Sequence, residues 1–268
     1  MKRLPRRFSP RTSPLMLPLC LFAAVCFGHE VGPTRECQEK DYLCRMSNYA
    51  HIVLNKCTPK DPDIHHCLVT EQTKLVEANP DDVAAYYYRG ITCIAWEPDR
   101  AIADFNKVLQ LDRLFEPVYM KLAEAYEMKG DHDWALTFLN RGTELFPAEA
   151  NFYQYRGYIH LKRRDFDKAL ADFNKVTMLR PESDGGFIGR AELYSSRGDL
   201  DKAVAEYDRA IDINPRAWRS YYDRGFIYWK RGEKAKAGAD CQKAKELKPF
   251  ERPRRFPTEH VSNDYCSL

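Results

Sequence analysis

Four cysteines lie between residues 37 and 67, and two histidines directly precede the last of them. Thiolates and imidazoles at short spacing can bind zinc, whereas cysteines alone can oxidise to disulfides. Adjacent histidines such as His65 and His66 point in different directions, and their spacing from Cys57 fits no common zinc pattern. The sequence therefore favours disulfides over a metal site. The disulfide candidates are Cys37, Cys44, Cys57 and Cys67.

Four cysteines permit three pairings, and the sequence does not select one. Cys57 and Cys67 flank the turn TPKDPDIHH and are the preferred pair, because a short hairpin with little core benefits from a covalent staple. Cys93, Cys241 and Cys266 bring the total after residue 28 to seven, so at least one thiol is free or intermolecular. A redox or metal-binding function of the cluster at 37–67 stays open as the alternative.

Motifs for catalysis are missing from the sequence. It contains no phosphate-binding glycine loop, no HExxH and no G-x-S-x-G. Gly185, Gly186 and Gly189 match no nucleotide motif and would cost helix stability. They indicate either a bare patch on a surface or a tolerated irregularity. We therefore expect no enzyme, no cofactor and no metal.

A period of 34 residues organises most of the chain. Small residues recur at intervals of 33 or 34, at Gly90, Ala123, Gly157, Ala191 and Gly225. Each is followed eleven or twelve residues later by an alanine, at 101, 135, 169, 203 and 237. Four residues beyond each alanine stand Phe105, Leu139, Phe173, Tyr207 and Cys241. The pattern indicates two antiparallel helices per unit that cross closely at the small residues, with a bulky residue on the same helix face beside the crossing.

Turn signals separate the helices. Gly130-Asp131, Gly198-Asp199 and Gly232-Glu233 predict a left-handed stop followed by an acidic helix start, and Arg164-Asp165 is a version without glycine. Prolines at 147, 181, 215 and 249 close the units.

The third unit reads AEANFYQYRGYIHLKRRDFDKALADFNKVTMLRP, and the pattern resembles the tetratricopeptide repeat family. Tyr or Phe stands where the family has its first Trp, and His160 occupies a position where the family often has Tyr. The resemblance implies an all-α fold, a right-handed α-solenoid of five helix-turn-helix repeats. The expected repeats are 81–113, 114–147, 148–181, 182–215 and 216–249.

Both ends of the array need a cover. Residues 29–80 are expected to form a Cys-rich, degenerate helical cap, with helices at about 42–57 and 63–78. The polar second helix of the last repeat suits a C-terminal cap, and the tail at 250–268 is expected to be loose.

In the tetratricopeptide family the first helix of each pair lines a concave groove that holds a partner peptide or helix. The groove positions carried over to this chain mix aromatic, apolar and charged side chains, which suits an amphipathic protein partner. They are Tyr87, Ile91, Ile94, Met120, Glu124, Glu127, Asn151, Gln154, Tyr158, Lys162, Ile188, Glu192, Ser195, Arg219, Tyr222, Phe226 and Lys230. Some of these aromatics are expected to be buried between repeats instead. Chaperone-binding members clamp a carboxylate with Lys, Asn and Arg, but Tyr87 and Ile91 stand at the corresponding places here.

The first 28 residues have the pattern of a secretory signal peptide. They carry five basic residues and no acidic one, and the apolar run at 15–28 is too short to span a bilayer comfortably. We therefore expect export to the periplasm or the extracellular space. The alternative is that residues 1–28 stay uncleaved as a signal anchor, and only in that case would the protein be attached to a membrane.

The chain of 268 residues has a formal charge of +3, with 44% hydrophobic and 30% charged residues, as expected of a folded protein. Removing residues 1–28 leaves 37 basic and 39 acidic residues, a formal charge of −2. This charge argues against a nucleic-acid partner. The sequence predicts a protein-protein interaction scaffold, and association of copies through the array ends is a further possibility.

Overall fold

The computed structural model describes residues 41–57, 63–247 and 266. The predicted leader at 1–28, Cys37 and all of the predicted tail at 250–268 except Cys266 lie outside the described residues. Within them the chain forms twelve α-helices and no β-strand. The helices are α1 (Tyr42–Lys56), α2 (Ile64–Ala78), α3 (Val83–Cys93), α4 (Pro98–Leu111), α5 (Glu116–Met128), α6 (His132–Leu145), α7 (Ala150–Lys162), α8 (Phe166–Leu179), α9 (Gly185–Arg197), α10 (Leu200–Ile213), α11 (Trp218–Lys230) and α12 (Lys234–Leu247). None of these helices is long and apolar enough to cross a membrane.

The predicted all-α helical-repeat solenoid is confirmed. Each of the five predicted repeats contains two helices, from α3 and α4 to α11 and α12, and the predicted cap contains α1 and α2. The described residues divide into two compact units, those up to residue 135 (unit 1) and those from residue 136 onward (unit 2), and the division falls within α6.

The small residues of the period lie where the helices of a repeat cross. A Cβ atom added to Gly90 would lie 2.5 Å from the Phe105 ring, and one added to Gly157 would lie 2.8 Å from the Phe173 ring. All five alanines of the second helices are buried, as are the five bulky or sulfur-containing residues that follow them. The 34-residue pattern therefore marks the core of each helix pair.

The turns inside the repeats adopt the predicted backbone geometry. Gly130, Gly198 and Gly232 have φ values of 76°, 84° and 76°, and Arg164 is the one described non-glycine residue with positive φ, at 62°. The acidic helix starts differ in detail. Asp131 Oδ1 accepts a hydrogen bond from the Trp134 N–H at 3.2 Å, whereas the Asp199 side chain makes no such capping bond. Asp199 therefore stabilises the start of its helix only through the interaction of its negative charge with the helix dipole.

An ion pair recurs with the same period in four of the five repeats. In each, an arginine directly before the small residue donates Nε and Nη2 hydrogen bonds to an acidic residue of the second helix. The pairs are Arg89–Asp104, Arg156–Asp172, Arg190–Glu206 and Arg224–Asp240, with Nη2–O distances of 2.6–2.7 Å. Repeat 2 has Leu122 and Phe138 at these positions.

In unit 2 the same arginines also reach the preceding repeat. Arg156 Nη1 donates to Asn140 Oδ1 at 2.9 Å, and Arg190 Nη1 donates to Asn174 Oδ1 at 3.0 Å. Arg224 Nη1 pairs with Asp208 at 2.6 Å. Each guanidinium therefore joins the second helices of two successive repeats, and we call this periodic set the arginine ladder.

Disulfide bonds lie near both ends of the part of the chain that the structure describes. Cys57 and Cys67 are bonded between α1 and α2, which confirms the preferred pair, and Cys44 is also in a disulfide. Cys241, at the bulky position of the last repeat, bonds to Cys266, and Lys245 Nζ donates to the Cys266 carbonyl at 2.8 Å. Cys93 is free and buried.

Candidate functional site

The first helices of the last three repeats lie side by side in unit 2. Helices α7 and α9 are in contact, and Arg219 of α11 reaches Glu192 of α9 with an Nη2–Oε1 distance of 3.7 Å. We call the surface formed by the predicted groove positions of α7, α9 and α11, from Asn151 to Lys230, the inner face.

The inner face carries side chains that the core leaves accessible to solvent. Its exposed residues are Asn151, Lys162, Arg219 and Lys230. Its half-buried residues are Gln154, Tyr158, Ile188, Glu192, Ser195, Tyr222 and Phe226. The set mixes aromatic, apolar and charged groups, which is the composition expected of a surface for an amphipathic segment.

Tyr222 and Phe226 also contribute to the end of the core. Both pack against the cluster of Ala237 and Cys241, and Lys230 Nζ lies 4.7 Å from the centre of the Phe226 ring. Truncation of either ring would therefore disturb the last repeat as well as the inner face.

In unit 1 two of the predicted groove residues lie elsewhere. Tyr87 and Ile94 are buried, and the Tyr87 ring packs edge-on against Phe115 with ring centroids 4.9 Å apart. The buried face of α3 is broad enough to include these two positions, although the family pattern assigns them to the groove. The remaining predicted residues of unit 1 are half-buried, namely Ile91, Met120, Glu124 and Glu127.

Charged groups meet in the middle of the inner face. Arg219 Nε lies 3.5 Å from Asp223 Oδ2, so one guanidinium serves both Asp223 and Glu192. Burial, with the Asp223 charge in addition, raises the pKa of Glu192 to about 7. Burial raises the pKa of Asp223 to about 6, and Arg219 only partly offsets this. Both carboxyl groups therefore titrate near neutral pH.

Sequence reasoning missed Asp223. It follows Arg219 by four residues, a spacing that places both side chains on one face of a helix. This spacing was available in the sequence, but the family's groove stripe does not include the position.

The three glycines of α9 are explained by close packing. A Cβ atom on Gly185 would lie 2.9 Å from the Gln154 side chain, and one on Gly189 would lie 2.4 Å from the Phe173 ring. A Cβ atom on Gly186 would lie 2.6 Å from Thr177 Cγ2 and 3.0 Å from the Thr177 backbone nitrogen. At Gly186 and Gly189, α9 therefore approaches α8 where a larger residue would collide, whereas the end of the Gln154 side chain beside Gly185 could move aside.

The histidines near the cap have separate environments. The His65 ring packs against Trp96 with ring centroids 4.6 Å apart, while the backbone N–H of His66 donates to the helix cap Asp63. No group of three or more His, Cys, Asp or Glu residues within 41–57 and 63–247 could hold a metal ion. His160 is buried beside Asp165, and burial lowers its pKa, as expected of a packed helix residue.

Comparisons with known proteins address the repeats directly. A family model described as TPR repeat matches residues 191–232, and one described as tetratricopeptide repeat matches residues 150–183 and 219–251. These matches fall on the predicted third, fourth and fifth repeats. The comparison with curated proteins gives no match.

Solved structures share the fold at low sequence identity. A tetratricopeptide repeat protein from Parabacteroides merdae has a TM-score of 0.62 at 19% identity, over 78% of this chain and 79% of its own. Yeast Tom70 has a TM-score of 0.61 at 16% identity, over 78% of this chain and 44% of its own. A chain of the APC/C hetero-tetramer Cut9-Hcn1 has a TM-score of 0.57 at 15% identity, over 80% of this chain and 48% of its own. The chain thus contains segments that match tetratricopeptide repeat models, and its repeated helix pairs share the fold of a solved tetratricopeptide repeat protein.

Proposed function

We propose that the protein is an exported, non-enzymatic scaffold that binds a peptide or helical segment of a protein partner on the inner face. The observation that carries the proposal is the inner face itself, where three adjacent helices present accessible aromatic, apolar and charged side chains. Members of the family are generally non-enzymatic interaction scaffolds. One relative in fold is part of the Cut9-Hcn1 hetero-tetramer, which is an assembly of different proteins.

Export is the second part of the proposal. It is supported by the pattern of residues 1–28, which have a basic start and a short apolar run. Disulfides at Cys57–Cys67 and Cys241–Cys266 support it independently, because such bonds persist mainly in oxidising compartments. Residues 1–28 would then be absent from the working protein.

A bulky side chain placed on the inner face tests the binding site. Ser195 is a half-buried inner-face residue of α9, and the next residue, Ser196, is exposed and lies about 100° further around the helix. We expect Ser195→Trp to reduce binding of the native partner by about tenfold or more through steric exclusion, and Ser196→Trp to leave it within about twofold. Partner recovery from native extract, quantified by mass spectrometry, compares the two variants.

Circular dichroism and thermal unfolding first establish that both variants keep the fold. If Ser195→Trp is unstable, Asn151→Trp at an exposed position of α7 takes its place. Unchanged partner recovery by a folded Ser195→Trp protein would contradict binding at the inner face.

A further inference from the structure

Helices α9 and α11 bring an uneven set of charges to one place on the inner face. Glu192 and Asp223 both face Arg219, at 3.7 Å and 3.5 Å. Both distances are longer than the 2.7–2.9 Å typical of a charge-assisted hydrogen bond, although Asp223 does interact with Arg219 through a side-chain hydrogen bond. Two carboxylates with one guanidinium carry a net charge of −1 when both are ionised. The local charge is therefore incompletely compensated by the residues that form these two ion pairs.

A buried tyrosine packs against Ala191 of α9 and Ile227 of α11, the two helices that carry these charges. Tyr207 of α10 is 2% exposed, and its phenol is in the electrostatic field of Asp223, Glu192 and Tyr158. Burial raises the pKa of Tyr207 well above its ordinary value, so the hydroxyl is neutral. No hydrogen bond joins this hydroxyl to another of the described residues, and its oxygen is not one of the polar atoms that the fold seals from solvent without a partner. It is therefore an unused acceptor next to two carboxylates.

The chemistry of this arrangement matches a cation with several N–H donors. A lysine ammonium group has three donors and a guanidinium has five, and both lack an acceptor. Such a group could donate to Glu192, Asp223 and the Tyr207 hydroxyl and would supply the missing positive charge. An anion would meet two carboxylates and only one arginine, so the charge balance opposes it.

We propose that Glu192, Asp223 and Tyr207 form a recognition site for a basic side chain, lysine or arginine, of the segment bound on the inner face. This inference rests on the proposed function and specifies the chemistry of the partner. Arg219 pairs with both carboxylates, and the phenol of Tyr158 on α7 interacts electrostatically with all three charged groups.

The test uses the full chain and two labelled peptides. One is an acetylated amphipathic 18-residue peptide of leucine and lysine, and the other has glutamine in place of every lysine. Fluorescence anisotropy at 0.15 M salt measures both affinities. We expect about tenfold tighter binding of the lysine peptide at pH 8. This preference falls at pH 5, because Glu192 and Asp223, with pKa values of about 7 and 6, are then protonated.

Substitutions assign the preference to the site. Glu192→Gln with Asp223→Asn is expected to reduce the preference for lysine to below about twofold, and Tyr207→Phe to reduce it by a few-fold. Glu182→Gln, at an exposed acidic position outside the site, is the matched control and is expected to retain it. Equal affinity for both peptides, no binding of the lysine peptide, or an unchanged preference in the double variant overturns the inference.

The Ser195→Trp variant separates this inference from the proposed function. If it leaves the affinities of both peptides unchanged, binding does not occur on the inner face and the proposed function fails too. If it weakens both peptides while the double variant keeps the lysine preference, only the recognition site fails.

Discussion

At the residue scale, Glu192 and Asp223 make the stability of unit 2 depend on pH. Their pKa values rise on folding, from 4.5 to about 7 and from 3.8 to about 6. The folded protein therefore holds these protons more tightly than the unfolded chain does. It follows that their contribution to the free energy of unfolding decreases as pH rises from about 4 to 7.

Glu192→Gln removes part of this dependence. At pH 8 we expect the variant to be more stable than the wild type by about 1–2 kcal/mol, because a half-buried carboxylate beside Asp223 is replaced by a neutral amide. At pH 5 we expect little difference, because the wild-type carboxyl is already protonated. Urea unfolding followed by circular dichroism at both pH values measures this, with Glu182→Gln as the control. A stability difference that is the same at pH 5 and pH 8 would be evidence against the raised pKa.

Individual side chains were the least predictable part of the inner face. Among the residues of the family stripe, Ser195 and Gln154 are half-buried, whereas Tyr87 and Ile94 are buried. A 34-residue period predicts at which position along its helix a residue lies. It does not determine how deeply the neighbouring helices cover that turn, since coverage depends on the packed side chains.

At the scale of elements, the arginine ladder connects the helices of unit 2. Arg156 joins α7 to α8 through Asp172 and to α6 through Asn140. Asp172 is 4% exposed, so it depends on this guanidinium for compensation of its charge. The ladder could have been predicted, because the arginines and acids share the period. It was overlooked because the small and apolar positions were enough to define the repeat, so the charged positions were not compared.

Arg156→Leu is expected to destabilise unit 2 by about 3 kcal/mol, because it leaves Asp172 buried without its partner. The double variant Arg156→Leu with Asp172→Leu is expected to recover most of the loss, since neither buried charge remains. Arg141→Leu, which removes an exposed ion pair with Glu144, is the control and is expected to cost less than about 0.5 kcal/mol. Chemical unfolding of the three variants gives the comparison. A double variant no more stable than Arg156→Leu would show that the ladder acts by more than charge compensation.

At the scale of the whole molecule, the helices of the predicted cap can be compared directly with the observed ones. The expected cap helices at about 42–57 and 63–78 are observed at Tyr42–Lys56 and Ile64–Ala78. Periodic small residues and turn signals are local, so they can be read along the chain. The Cys241–Cys266 bond could not be predicted in this way, because it joins a core position to a tail without periodicity.

The disulfides are expected to stabilise the chain only in an oxidising compartment. Cys57→Ser with Cys67→Ser should lower the free energy of unfolding by about 2–3 kcal/mol. The reason is that the unfolded chain, no longer closed into a short loop by the disulfide, has a higher conformational entropy. Unfolding in guanidinium chloride without reductant compares this variant with the wild type. Reduced wild-type protein should lose at least as much stability, since Cys241–Cys266 opens as well.

Cysteine alkylation followed by peptide mass mapping gives the matching control. Of the six cysteines within the described residues, Cys93 alone should be alkylated without reductant. Because burial raises its pKa to about 12, this should happen only after unfolding. Alkylation of Cys57 or Cys67 in the unreduced protein, or equal stability of the double serine variant and the wild type, would contradict a stabilising Cys57–Cys67 disulfide. It would also remove the covalent support for export, which would then rest on residues 1–28 alone.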